Sequence, residues 1–304
     1  MLDGEDMFKG RPFTCRATGS GKYFSHWRGK VARGYIHSVF HHVVNFYLER
    51  DFLSLVGPGL GSAAAFINLD LPENIDFINL GLAPDMPVSL AGGWLWVNGI
   101  LVVDCRRTCI WQGREGAELA WRGEELTWAN LTALGQALSR WGRGGGWEER
   151  VADSLRQLRS GLLGRERDKL EGAVRSLLGY GPGLTPSGDD FLLGLLAVTG
   201  GGVDYRVCLE GFHGAIAANL ERTNEISSFF LRQALAGDYH EYLQEVVYAV
   251  INGIPATVIT AVRKLLALGA TSGTDMARGI YLGFSWAVTG SEGAGTSHGG
   301  RTAS

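Results

Sequence analysis

The sequence predicts an α+β protein. An N-terminal antiparallel β sandwich or barrel is expected over residues 1–117, followed by an all-helical domain over residues 118–289. Three observations predict it. Short runs rich in β-branched and aromatic residues, separated by proline and glycine, fill the first part of the chain. Two of them, Trp94–Val97 and Ile100–Val103, flank Asn98-Gly99, a pair suited to the two positive-φ positions of a tight hairpin. From about residue 118 the apolar residues recur at three- and four-residue spacing, the period of a helix with one buried face.

Taken in order, Tyr35–Leu48 is rich in Val, Phe, Tyr and His and reads as one long or two short strands. Phe52–Val56, Ala64–Leu69 and Ile75–Leu80 are three further strands, punctuated by Pro58, Pro72, Pro84 and Pro87. Within a strand, His41 and His42 face opposite sides and do not line one site. Helices are expected over 126–141, 147–163, 165–178, 187–199, 205–219, 223–236, 239–252, 255–268 and 273–289, with Pro255 suited to a first helical turn. Residues 290–304 are mostly Gly, Ser and Thr without an apolar anchor and are expected to form a disordered tail.

Composition narrows the function. With 304 residues, 45% hydrophobic and 19% charged, the chain is expected to fold as one large domain or two smaller ones. A net charge of −3 gives no general electrostatic case for nucleic acid. No apolar run reaches the roughly 18–20 residues of a membrane helix. The acidic N-terminus lacks a signal-peptide core, so a cytoplasmic protein is expected, with no membrane partner. Cys15, Cys105, Cys109 and Cys208 have neither Cys-x-x-Cys spacing nor histidines placed to complete a zinc site, and read as buried, reduced thiols.

The chemistry concentrates in Gly179–Asp190, where glycines, a proline, hydroxyls and paired carboxylates precede the apolar run Phe191–Val198. A shorter echo, Thr271–Gly279, lies 85 residues later, and both copies fit Ser-Gly-x-Asp-x-x-x-Gly. Each reads as a helix start. One reading is a capping box, with Ser187 or Ser272 as N-cap and Asp190 or Asp275 three residues on. That reading leaves Gly188 and Gly273 unexplained, since glycine is poor in a first helical turn unless something approaches the backbone closely. The other reading is a pair of ligand-facing helix starts. There the N–H groups at Ser187-Gly188 and Ser272-Gly273 hold an oxyanion, with hydroxyls of Thr185 and Thr271 beside them and Gly183 in the loop. Asp189, Asp190 and Asp275 are then candidates to organise a cation or a proton. Mg2+ is the cation such carboxylates suggest, and aspartates alone do not fix one. Gly194 and Gly279 suggest tight helix packing at matching sites. A third segment offers Arg222 as an anion clamp and Thr223 and Asn224 as a polar helix start. P-loop, dinucleotide-binding, Gly-x-Ser-x-Gly and His-Glu-x-x-His patterns do not occur.

Gly181–Leu192 resembles the signature of the AllH family. Thr223-Asn224-x-x-Ser227 and Gly269–Asp275 are similar to its second and third motifs, in the same order, and the similarity spans most of residues 15–290. The resemblance implies one subunit of a heteromeric oxamate carbamoyltransferase of anaerobic allantoin breakdown, which converts oxalurate and phosphate to oxamate and carbamoyl phosphate. Its implied partners are the other subunits and a small anionic substrate. The alternative is a non-catalytic structural or regulatory subunit, or a small-acid-binding protein, in which both repeated segments serve only as caps.

Overall fold

The structure is a computed structural model that describes residues 12–294 except 73, 115, 123–125, 165 and 203–204. The acidic N-terminal stretch and the tail from 295 onward lie outside the described residues. The chain divides into two compact units, residues 1–113 and 114–304.

The first unit is a closed barrel. Its strands are β1 (Phe13–Gly21), β2 (Ala32–Val39), β3 (Val43–Leu48), β4 (Asp51–Val56), β5 (Phe66–Asp70), β6 (Pro87–Ala91), β7 (Trp94–Val97), β8 (Leu101–Asp104) and β9 (Cys109–Trp111), with a short helix α1 (Lys22–Ser25) after β1. The ring runs β5-β4-β3-β2-β6-β7-β8-β1 and closes through β1 and β5, while β9 adds to the end of β1. Of the two expected architectures the barrel is the one formed. It is mixed and not wholly antiparallel, because β1 pairs with β8, and β4 with β5, in parallel. Closing the ring requires these long-range pairings, and closure removes the exposed edges. Ile36, Phe46 and Leu53 lie abreast on neighbouring strands and are buried together with Val44, Leu48 and Leu55.

Tyr35–Leu48 is two strands, so His41 and His42 sit in the turn between β2 and β3 and not within a strand. Asn98 and Gly99 have φ of 49° and 69°, the positive pair that the hairpin requires. Ile75–Leu80 is a set of turns and not the expected strand. The Asp76 carboxylate accepts the Ile78 N–H at 2.7 Å, and the Asp76 carbonyl accepts the Leu80 N–H, so the backbone is satisfied locally.

The second unit is helical: α2 (Trp128–Trp141), α3 (Trp147–Arg150), α4 (Ala152–Gly164), α5 (Arg167–Leu177), α6 (Ser187–Thr199), α7 (Arg206–Ala217), α8 (Glu225–Leu235), α9 (Glu241–Asn252), α10 (Pro255–Leu266) and α11 (Ser272–Ala294). Pro255 occupies the first turn of α10, as expected. Helix α11 continues past residue 290 to Ala294. Helix α6 is buried on nearly all sides, from Gly188 to Thr199, which explains its continuous apolar run. It packs on α11, and Trp121, Tyr205 and Phe284 fill the space around the pair. Among the described residues no helix is long and apolar enough to cross a membrane.

Candidate functional site

The two copies of Ser-Gly-x-Asp begin the two central helices. Ser187 is the first residue of α6 and Pro186 is its N-cap, while Ser272 is the first residue of α11. The expected capping boxes are therefore not formed. Both serines lie one position too far along, and the first-turn N–H groups go to backbone oxygens. Pro186 O accepts from Asp189 and Asp190, and Thr271 O accepts from Thr274 and Asp275.

The glycine after each serine has a packing role. A Cβ on Gly188 would lie 2.0 Å from Leu177 O, and one on Gly273 would lie 1.8 Å from Leu265 O. What comes close to these backbones is the last turn of the preceding helix, α5 in one copy and α10 in the other. The Gly188 N–H donates to Tyr180 O at 2.9 Å and the Gly273 N–H to Leu268 O at 3.1 Å, so neither is left for a ligand. The N–H groups of Ser187 and Ser272 have no acceptor among the described residues. Gly194 and Gly279 form the crossing of α6 and α11. A Cβ at 194 would meet Met276 O at 1.9 Å, and one at 279 would meet Phe191 O at 2.1 Å.

This crossing brings the two starts together. Thr185 Oγ1 and Ser272 Oγ, one from each copy, are 2.8 Å apart. Both hydroxyls also hydrogen-bond Asp190. Asp190 is 2% exposed, and burial raises its pKa well above the ordinary carboxyl value, with the nearby Asp275 and Asp189 charges adding to the rise. Its Oδ2 is buried without a partner among the described residues. Asp275, the equivalent residue in the second copy, is 1% exposed and also keeps a buried Oδ2 without a partner. Its Oδ1 accepts from Trp147 Nε1 at 2.9 Å and from Arg278 Nη1 at 2.6 Å. Arg278 continues to Glu148 at 2.6 Å and to the Gly144 carbonyl at 3.1 Å.

Asp189 is differently placed. It accepts the Gly179 N–H at 2.8 Å and the Thr223 hydroxyl, and Ser227 adds a third hydrogen bond. Burial pushes its pKa up while these donors pull it down. Asn224 caps α8 by accepting the Ser227 N–H at 3.1 Å. The Thr-Asn-x-x-Ser segment thus supplies two donors to a buried carboxylate and the cap of the helix that carries one of them. Arg222 donates through Nε to the Arg175 carbonyl at 3.0 Å. Gly183 is exposed with φ of 94° and open space around its α-carbon. Thr271 packs against Gly144. Among the described residues no group of three or more His, Cys, Asp and Glu is placed to hold a metal ion.

Trp147, Arg278 and the glycine segment 142–146 are the parts that sequence reasoning did not assign. Two signals were available. Arg278 follows Asp275 at a spacing that shares a helix face, and Gly144-Gly145-Gly146 directly precedes Trp147.

Comparison with protein families agrees with this layout. The family model described as oxamate carbamoyltransferase subunit AllH matches residues 177–284, which contain both helix starts. The model of the AllH family N-terminal domain matches residues 16–110, the barrel. No solved structure matches the chain. The two family matches cover most of the sequence, and the chain belongs to the AllH family.

Proposed function

We propose that this chain is a subunit of a cytoplasmic, heteromeric oxamate carbamoyltransferase of allantoin breakdown, and that the paired starts of α6 and α11 hold its anionic, carbamoyl-bearing substrate. The supporting observation is the pair of orphan oxygens. Asp190 and Asp275 each keep one buried carboxyl oxygen without a partner, in matching first turns. Leaving such a group unsatisfied costs roughly 1–3 kcal/mol each, so a bound group that completes both is favoured.

The chemistry follows from the difference between the two carboxyls. A phosphate oxygen attacks the carbamoyl carbon of oxalurate, the C–N bond to the oxamate nitrogen breaks, and that nitrogen takes up a proton. Burial favours the protonated form of the Asp190 carboxyl, which is suited to donate that proton. Asp275, held by Arg278 and Trp147, is suited to accept an N–H of the carbamoyl group. The N–H groups of Ser187 and Ser272, with no acceptor among the described residues, and the paired hydroxyls of Thr185 and Ser272 are suited to stabilise the charge that develops in transfer.

The test is carbamoyl phosphate formation by the complex assembled with its partner subunits. Asp190→Asn is expected to lower kcat by about 10²–10⁴ with folding retained. Full activity in both Asp190→Asn and Asp275→Asn would overturn the reading. Two observations favour the rival, a non-catalytic subunit. The Gly188 and Gly273 N–H groups are already satisfied, and Asp189 is fully engaged. In that case neither substitution changes specific activity.

A further inference from the structure

We infer that Arg143, carried on the glycine segment 142–146, is the cation that binds the anionic end of the ligand at the start of α11. The inference rests on the reading that the paired helix starts hold the ligand, and it adds a residue outside both repeated motifs. The segment is laid directly onto the third motif. The Arg143 N–H donates to Thr274 Oγ1 at 3.0 Å, and Thr274 is fully buried in the first turn of α11. A Cβ on Gly142 would lie 3.1 Å from Thr274 Cγ2, and one on Gly144 would lie 2.9 Å from Thr271 Cγ2. Gly144, Gly145 and Gly146 have φ of 66°, 136° and 73°, which side chains with a Cβ adopt only with strain. Three such residues in succession let the backbone lie this close to the helix start and leave Arg143 on the outside.

The arginines around the site have different commitments. Arg278 is spent on Asp275, Glu148 and the Gly144 carbonyl. Arg222 is spent on the Arg175 carbonyl. Arg143 is exposed, and its guanidinium has no partner among the described residues, while its backbone is anchored. A planar donor fork on a fixed base, beside a helix N-terminus, matches a carboxylate or a phosphate. The orphan oxygens of Asp190 and Asp275 in the same first turns independently point to a ligand there, one that brings an N–H to Asp275 and an acceptor to Asp190. Together they describe a small acid with an anionic group at one end and a urea-type amide at the other.

The experiment is calorimetric titration of the assembled complex with oxamate and, separately, with inorganic phosphate. Arg143→Ala is expected to weaken one of the two by roughly 10- to 100-fold, the range of a charge-assisted hydrogen-bonded contact. The probe affected identifies whether the anion is the carboxylate or the phosphate. Arg143→Lys is expected to restore part of the loss, since a point charge replaces the fork. Unchanged affinity for both probes in Arg143→Ala, with loss in Asp275→Asn, overturns the role of Arg143 and leaves the site standing. Failure of the unmodified complex to bind either probe overturns the site and Arg143 together.

Discussion

Gly279 tests whether the approach of α6 to α11 is what places the two helix starts together. A Cβ at this position would lie 2.1 Å from Phe191 O and 2.8 Å from Leu195 N, both backbone atoms of α6. Backbone cannot swing aside as a side chain can. Gly279→Ala therefore forces the helices roughly 1 Å or more apart, given that non-bonded heavy atoms rest at about 3.5–4 Å. Overpacking of this kind costs typically 1–3 kcal/mol and occasionally more. Alanine in a helix interior returns about 1 kcal/mol relative to glycine. With rigid obstacles the upper part of the range applies, and the net loss is about 1–3 kcal/mol. For a helical unit of this size that lowers Tm by roughly 3–10 °C. Gly214 is the control. It lies in α7, is exposed, and nothing lies within 4 Å of its added Cβ. Gly214→Ala is expected to gain about 0.5–1 kcal/mol from the same chemical change. Equilibrium urea unfolding of the full chain measures both, as midpoints at constant m. A Gly279→Ala midpoint at or above that of the unmodified protein would refute the packing argument, and with it the reason both copies carry glycine seven residues after serine.

Three further outcomes are expected. The Asp190 carboxyl has a raised pKa in the folded chain and about 3.8 when unfolded, so the unfolded chain loses its proton first and stability falls as pH rises through that window. Asp190→Asn, which mimics the protonated acid, should flatten this slope above the unfolded carboxyl value, and an unchanged slope in urea unfolding would show that the carboxyl is not the source. Thr223→Val removes one donor from the buried Asp189 carboxylate and should cost about 1–3 kcal/mol. A loss under roughly 0.5 kcal/mol would mean the contact is dispensable. Thiol alkylation at pH 8 should modify the exposed Cys109 first, because burial pushes the Cys15 and Cys105 thiols up to about 12. Rapid labelling of Cys105 without unfolding would contradict that assignment.

What the sequence determined by itself is what short stretches encode. Asn98-Gly99 specified a hairpin because its conformational demand is local. Pro255 marked a helix start for the same reason. The matched serines, aspartates and glycines announced two equivalent helix starts, and Gly194 and Gly279 announced their close packing. Locally patterned elements failed at particular places: the Asp76 carboxylate turned an apolar run into turns, His41 and His42 fell in a turn, and Ser187 and Ser272 lay one position past their caps.

Only the tertiary structure decided what those residues do. Barrel closure depends on β1 meeting β5 and β8, strands far apart in sequence whose pairing leaves no short-range mark. The same holds for the three aspartates, which read alike in the sequence. Asp189 is engaged by Gly179, Thr223 and Ser227, and Asp275 by Trp147 and Arg278, while Asp190 meets two hydroxyls and keeps an oxygen unpaired. A carboxyl group's chemistry is set by its burial and by the donors around it. The most distant of those donors, Thr223 at 34 residues from Asp189 and Trp147 at 128 from Asp275, meet their carboxylates only in the folded chain.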